Sequence, residues 1–290
     1  MVRKRRITIY SVAMLVGLTG ILMWLFTEHE NGHADEPASK QATIAKKVTQ
    51  NQLVTQWQNV FAKTAANVSI AVYDKTHDRT YTLVKNSQVP NYTASIVKVS
   101  ILADLLYRHQ LADTTLSSNE QTLATEMIEN SNNDAANALL YENANDYSAP
   151  NLLFGKLGMT ATKMDNDAWG GTATTAPDQL KLLNALAYGQ KSVLSANSRA
   201  YILNLMQNVE ADQRWGISAG TSANATVALK NGWLSDDDGW IVNSIGHVVD
   251  GQADYTIAVL TNGNATEDDG IALIEKLAKL TATYLKDQAS

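Results

Sequence analysis

The 290-residue sequence contains no cysteine. Disulfides, a cysteine nucleophile, thiolate metal sites and an anchor on a lipid-modified cysteine are therefore excluded. Histidines are also few, and only His29 and His33 lie within four residues of each other, so we expect neither a metal nor another cofactor. The histidines are His29, His33, His77, His109 and His247.

Basic clusters are missing after residue 50, and the net charge is −6. Nucleic-acid-binding domains carry basic patches, so we expect no nucleic-acid partner. The densest acidic run, Asp236–Asp238, lacks the alternating spacing of a calcium loop, and we interpret it as the cap of a hairpin. We expect the protein to act as a monomer.

One long uncharged run is present, at residues 7–26, directly after a basic cluster at residues 3–6. Twenty apolar residues are long enough to cross a bilayer, and the basic flank should stay cytoplasmic. We therefore predict a cytoplasmic tail (1–6), a transmembrane signal-anchor (7–26) and an extracytoplasmic linker (27–47). The protein would be a single-pass protein of the cell membrane. The alternative is secretion after cleavage of a signal peptide near residues 32–34.

Residues 48–290 are predicted to form one α+β domain. Apolar periodicity predicts a first helix over 48–65, strands at 68–73 and 80–84, and a mainly helical stretch over 93–208. Strand patterns return at 225–229, 240–249 and 255–260, and a closing helix follows at 271–285. This order predicts an antiparallel sheet flanked by the terminal helices, with an all-helical subdomain inserted. The sheet lobe comprises about 48–92 and 216–290, and the helical lobe about 93–215.

Ser95 and Lys98 lie one helical turn apart in an apolar run from Thr93 to Tyr107. Residues three apart share a helix face, so the amine can reach the hydroxyl. A serine needs a base to become nucleophilic, and a lysine is a base near neutral pH only where apolar surroundings lower its pKa. This pair predicts a covalent serine enzyme. The alternative is a surface lysine at the edge of a core helix.

Two further short patterns follow in order. Ser131-Asn132-Asn133 opens an alanine-rich helix, and Lys230-Asn231-Gly232 ends the strand at 225–229. Each has a structural alternative: Ser131 would be a helix N-cap, and Asn231-Gly232 would be a hairpin turn.

The series S-x-x-K, S-x-N, K-x-G resembles the penicillin-recognising serine enzymes, specifically the class A β-lactamases and their D,D-peptidase relatives. The resemblance covers about residues 50–290 and implies the β-lactamase/transpeptidase-like fold. Thr162–Asp165 and Thr174–Pro177 resemble the two ends of the family's Ω-loop.

The resemblance implies a role for each matching residue. Ser95 would attack the carbonyl, Lys98 would take or relay its proton, and Ser131 would pass a proton to the leaving nitrogen. Asn133 would bind the substrate amide and orient Lys98. The carboxylate of a β-lactam or D-Ala-D-Ala peptide would be bound by Lys230, Asn231 and Gly232. The oxyanion hole would consist of the backbone N–H groups of Ser95 and Trp233.

Two departures from the family pattern matter. Asn231 replaces a threonine or serine and so lacks a hydroxyl. Ala168 stands where class A enzymes carry the glutamate that activates the deacylating water. Asp167 is a candidate activator, although it would equally serve as a loop salt bridge or helix cap.

Three functions remain open on the sequence. The first is a β-lactamase-like serine hydrolase that forms a Ser95 acyl-enzyme but lacks the deacylating glutamate. The second is a membrane-tethered D,D-carboxypeptidase or transpeptidase acting on cell-wall peptides. The third is a non-hydrolytic penicillin-binding sensor or wall-binding module.

Overall fold

The computed structural model describes residues 52–142 and 147–289, apart from the side chain at 142. The predicted tail, anchor and linker (1–47) lie outside these ranges. None of the helices in the described ranges has the length and apolar character needed to cross a membrane.

The elements follow the predicted order of a helix and hairpin, a helical block, three strands and a final helix. In chain order they are α1 (residues 52–61), β1 (Asn67–Asp74), β2 (Arg79–Val84), β3 (Asn91–Tyr92), α2 (Val97–Leu111), α3 (Ser118–Glu129), α4 (Asn133–Asn137), α5 (Pro150–Leu157), β4 (Ala173–Thr174), α6 (Ala176–Tyr188), α7 (Ala196–Gln207), β5 (Thr226–Asp236), β6 (Gly239–Asp250), β7 (Ala253–Asn264) and α8 (Glu267–Ala289).

The main sheet is antiparallel with strand order β2-β1-β7-β6-β5. Both of its faces are covered. Helix α6 packs against β1 and β7 on one face, and α8 packs against β6 and β7. Two hydrophobic clusters result: Ala71 belongs to the one shared with the helical lobe, and Ile70 to the one shared with the terminal helices. The predicted α+β fold is therefore confirmed, with β1 buried on both faces.

The two terminal helices pack together on the outer side of the sheet. The Trp57 indole N–H donates to Thr281 Oγ1 at 3.2 Å, which joins α1 to α8 in the core. Helix α8 begins four residues before its predicted start, at Glu267. Its first turn is polar, with Thr266 Oγ1 accepting from the Asp269 N–H. Capping chemistry rather than apolar periodicity defines this end, which explains why the periodicity missed it.

The strand that carries the K-N-G pattern is longer than predicted. Lys230, Asn231 and Gly232 lie inside β5 and pair with β6, so the predictions of a strand end at 229 and of a turn at Asn231-Gly232 are wrong. The turn instead falls at residues 237–238, as the acidic run predicted. Asn-Gly is a strong turn signal, but here glycine is used for a close backbone approach.

Two smaller differences concern the helical lobe. The two-stranded sheet of β3 and β4 is not apparent in the sequence. Helix α4 ends at Asn137 and continues as a π-helical turn over Ala138–Glu142, where one continuous helix to residue 140 was predicted.

Candidate active site

Ser95 and Lys98 face each other at the start of the buried helix. Ser95 lies in a 3₁₀ turn, Ala94–Ile96, and Lys98 lies in the first turn of α2. Their Oγ and Nζ atoms are 3.0 Å apart. Lys98 is 0% exposed, and burial lowers its pKa from 10.5 to about 7. The alternative of a surface lysine is therefore wrong.

The Lys98 amine has two closer partners, both carbonyl-type acceptors. Its Nζ donates to the Ser131 backbone oxygen at 2.6 Å and to Asn133 Oδ1 at 2.7 Å. An uncharged amine has two N–H donors and one lone pair. These two acceptors use both donors, so the lone pair is left to accept the Ser95 hydroxyl proton. This geometry suits a general base.

Ser131 stands between two lysines. Its Oγ lies 2.9 Å from Lys230 Nζ and 3.2 Å from Lys98 Nζ. Its backbone is left-handed, with φ +55°, and Asn132 rather than Ser131 caps α4 by accepting from the Ala135 N–H. The interpretation of Ser131 as an N-cap is therefore wrong. The hydroxyl is free to relay a proton between amines because it both donates and accepts.

Lys230 is also fully buried. Burial, followed by the charge of Lys98, holds the pKa of Lys230 well below 10.5. Within the described ranges neither lysine forms an ion pair with a carboxylate. Two amines around one hydroxyl, with no counter-charge, make a site that disfavours two positive charges and favours an incoming anion.

Gly232 brings strand β5 against the nucleophile. A Cβ at this position would lie 2.6 Å from the Ser95 nitrogen and 2.9 Å from the Thr93 oxygen, which no real side chain tolerates. The neighbouring strand is tied to the same segment, because Asn243 Nδ2 donates to the carbonyl oxygens of Tyr92 and Thr93. The backbone after Gly232, at Trp233, therefore runs close beside Ser95.

Asn231 is used differently from the sequence expectation. Its Nδ2 donates to the carbonyl oxygens of Gln213 at 2.8 Å and Trp215 at 3.0 Å, while its buried Oδ1 has no partner among the described residues. Trp215 in turn packs edge-on against Trp233, with ring centroids 5.8 Å apart. A substrate carboxylate would meet this amide only after those bonds break.

The loop between α5 and α6 has its two ends joined. Thr162 Oγ1 lies 2.9 Å from Thr174 Oγ1, and Asp178 accepts from Thr162. Within the loop, Asp165 Oδ1 accepts from the backbone N–H groups of residues 167 and 168, and these bonds lower the pKa of Asp165. Asp165 therefore shapes the loop.

Asp167 is exposed on this loop. Its one hydrogen bond in the described structure is donated by its backbone N–H to Asp165. The bonds that join Ser95, Lys98, Ser131, Asn133 and Lys230 do not include it.

Trp169 was missed by the sequence reasoning. Its ring centroid lies 4.9 Å from Lys98 Nζ, and its indole N–H donates to Asn137 Oδ1 at 2.8 Å. Asn137 follows Asn133 by four residues and so shares its helix face, which was the available signal. No local sequence pattern predicts where Trp169 lies, because the loop brings it to Asn137 from 32 residues further along the chain.

Comparisons with known proteins support a serine hydrolase-like fold for this chain. A family model described as the beta-lactamase enzyme family matches residues 110–285, a range that begins after Ser95 and Lys98. A protein of Mycobacterium tuberculosis and M. bovis named "Putative lipoprotein LppW" is 27% identical over 188 residues. The aligned part covers 62% of this chain and 58% of that relative, so the chain spans under two thirds of its length.

Solved structures of the same fold are also similar. A class A β-lactamase from Bacteroides cellulosilyticus superposes with a TM-score of 0.71 at 17% identity, covering 82% of this chain and 99% of that one. An acyl-enzyme complex of a PBP-A variant with penicillin G gives 0.69 at 20% identity, covering 83% and 97%. At these identities the likeness to solved structures establishes the fold alone. The family model, which matches more than half of the chain, also assigns the chain to a family. The chain belongs to the beta-lactamase enzyme family, with the serine hydrolase-like fold of its class A members.

Proposed function

We propose that this protein forms an acyl-enzyme at Ser95 with β-lactams or with D-Ala-D-Ala-type peptides. The contact that carries the proposal is the 3.0 Å approach of a fully buried amine, Lys98, to the Ser95 hydroxyl. Because burial brings the pKa of Lys98 to about 7, a large fraction of the amine is uncharged at neutral pH.

The proposed reaction uses residues already in contact. Ser95 Oγ attacks the substrate carbonyl carbon while its proton passes to Lys98 Nζ. The negative charge on the carbonyl oxygen is stabilised by the backbone N–H groups of Ser95 and Trp233. The C–N bond then breaks, and the leaving nitrogen takes a proton from Ser131 Oγ, which is replenished from Lys98. The acyl group remains as an ester on Ser95.

Substrate recognition is assigned to the amine pair and its neighbours. Lys230 attracts the substrate carboxylate, and the arriving negative charge favours the protonated form of Lys230. Because Gly232 has no side chain, the backbone of β5 can lie directly beside Ser95. Asn133, which is exposed and holds Lys98 through Oδ1, has its Nδ2 available for the substrate amide.

Hydrolysis of the ester is proposed to be slow. Ala168 occupies the position of the family's deacylating glutamate, and an alanine cannot take a proton from water. Asp167 remains the one candidate activator on the loop, although its exposure and its lack of a bond to the cluster do not favour it. A transpeptidase passes its acyl group to an amine instead of water, so it tolerates this arrangement better than an antibiotic-degrading enzyme. We therefore favour a D,D-peptidase-type activity over efficient β-lactam hydrolysis. A non-hydrolytic sensor or wall-binding module is the remaining alternative.

The acylation experiment separates these functions. The full chain is incubated with fluorescent penicillin and, separately, with a D-Ala-D-Ala peptide, and its intact mass is followed over time. We expect a lasting lactam adduct, release of D-Ala from the peptide, and no adduct on Ser95→Ala. Ser100→Ala is the matched control, because Ser100 is buried in helix α2 beside Lys98 and its Oγ has no hydrogen-bond partner within the described ranges. Rapid loss of the adduct would favour a β-lactamase, and no adduct with no turnover would leave the binding module.

The site of action is proposed to be the outer face of the cell membrane. Residues 7–26 are the proposed anchor, and the mycobacterial relative carries the word lipoprotein in its name. This chain has no cysteine to carry a lipid, and we propose its own apolar segment as the tether. Fractionation of cells that express the full chain, compared with a chain lacking residues 1–26, tests this proposal. Recovery of both in the soluble fraction would contradict it.

A further inference from the structure

We propose that Trp169, held in place by Asn137, excludes water from the Ser95 ester and thereby sets the lifetime of the acyl-enzyme. The proposal rests on the proposed acylation of Ser95 and goes beyond it, since it assigns slow hydrolysis to a residue that is present rather than to a missing one. Trp169 would act as a positioning residue, because it excludes water without taking part in the bond changes.

The indole leaves no room for a water on its side of the catalytic amine. The ring centroid lies 4.9 Å from Lys98 Nζ. A water between them would need about 2.8 Å to the nitrogen and about 3.3 Å to the ring, roughly 6 Å in total. The observed gap is shorter, so Lys98 faces an aromatic surface here.

The same indole offers no group that could activate a water. Its ring has a single polar group, an N–H donor, and no acceptor. That donor is already bound to Asn137 Oδ1 at 2.8 Å. Hydrolysis requires water to add to the acyl carbonyl, the bond to Ser95 Oγ to break, and a proton of the water to return to Oγ. The indole itself has no acceptor for the water's proton.

The ring is held rigidly against the segment that carries the nucleophile. Trp169 opens a 3₁₀ turn, Trp169–Gly171, and Thr93 Oγ1 donates to the Gly170 carbonyl at 3.4 Å. The Thr93 N–H donates to the Thr172 carbonyl at 2.9 Å. Packing from one side and the Asn137 bond from the other therefore hold the indole near the turn that carries Ser95.

The test is the decay of a preformed penicillin adduct, followed by intact mass in the full chain with and without added hydroxylamine. Hydroxylamine is a small nucleophile that needs no base from the protein, so it reports access to the ester. We expect Trp169→Ala to shorten the adduct half-life at least tenfold and to make it sensitive to hydroxylamine. Asn137→Ala, which frees the indole, should give a smaller acceleration, and Trp169→Phe, which keeps an aromatic ring, should lie between wild type and Trp169→Ala. Trp240→Phe, a tryptophan change in the hydrophobic cluster shared with the terminal helices, should match wild type.

The outcomes separate the two proposals. If wild type is acylated and the Trp169 and Asn137 variants decay at the wild-type rate, the water-exclusion proposal is overturned and the acylation proposal stands. If wild type forms no adduct, both fall. Should Trp169→Ala fail to fold, Trp169→Phe and Asn137→Ala decide the question by the same measurement.

Discussion

At the scale of single residues, the site depends on two buried amines that have no carboxylate partner among the described residues. Lys98 and Lys230 share the Ser131 hydroxyl, and within the described structure no carboxylate pairs with either amine. Burial without a counter-charge lowers the pKa of a lysine, whereas a carboxylate neighbour would raise it. The reactivity of Ser95 therefore depends as much on what is absent around Lys98 as on the amine itself.

Gly232 gives the sharpest test at this scale. Its hypothetical Cβ would lie 2.6 Å from the Ser95 nitrogen. Gly232→Ala must therefore push β5 away from the nucleophile and widen the proposed oxyanion site. We expect the acylation rate to fall about 100-fold, the magnitude typical of losing one oxyanion donor.

The control for this change is Gly155→Ala in helix α5. Apart from the backbone of α5 itself, no atom of the described residues lies within 4 Å of a Cβ built at Gly155. Alanine is also a better helix former than glycine. We expect unchanged acylation and a gain in the free energy of unfolding of about 0.5–1 kcal/mol. Stopped-flow labelling and urea unfolding measure the two effects. Equal acylation rates for Gly232→Ala and wild type would remove the argument for close approach.

At the scale of the elements, the order of helices and strands along the chain and the helical insertion could be predicted from periodicity, whereas the fine positions of the site residues could not. The S-x-x-K spacing fixes the approach of Lys98 to Ser95 because both lie in one turn. The placement of Gly232 and Trp169 depends on contacts across the sheet and loop. A strong turn signal at Asn231-Gly232 was overridden there by pairing with β6.

A second element-scale feature joins helix α6 to the far end of the sheet. Asp254 Oδ1 accepts from the Tyr188 hydroxyl and lies 2.7 Å from His247 Nε2. Burial alone would raise the pKa of Asp254, but the bonds from His247 and Tyr188 outweigh it, and the pKa is below its usual 3.8. The cluster therefore favours the ionised carboxylate in the folded state.

The ionised Asp254 carboxylate makes the free energy of unfolding depend on pH. A carboxyl group with a depressed pKa stabilises the fold above its unfolded pKa, and that stability is lost as the pH falls through the folded pKa. We expect Asp254→Asn to lower the free energy of unfolding at pH 7 by about 1–2 kcal/mol, the scale of a hydrogen bond to a charged group. Urea unfolding should show this difference from wild type shrinking below pH 4. A difference that stays constant from pH 7 to pH 3 would contradict the assignment.

At the scale of the whole molecule, the proposed site is assembled from both lobes. Ser95, Lys98 and Ser131 belong to the helical lobe, and Lys230 and Gly232 belong to the sheet. A molecule bound there touches both lobes, and these non-covalent contacts exist only in the folded state. Ligands of this kind raise the unfolding temperature.

We therefore expect penicillin to raise the melting temperature of wild type by several degrees, as 1 kcal/mol shifts it by about 2–4 °C for a domain of this size. Ser95→Ala, which cannot form the ester, should show a much smaller shift. Differential scanning calorimetry with saturating penicillin makes the comparison. Identical shifts for wild type and Ser95→Ala would mean that stabilisation does not come from the acyl bond.

The central claim, that Ser95 is activated by an uncharged Lys98, is tested most directly by the pH dependence of its acylation. With the pKa of Lys98 near 7, the rate of labelling by fluorescent penicillin should rise with pH and reach half its maximum near pH 7. A rate that stays level from pH 5 to pH 9, with Ser95 fully labelled, would contradict the account.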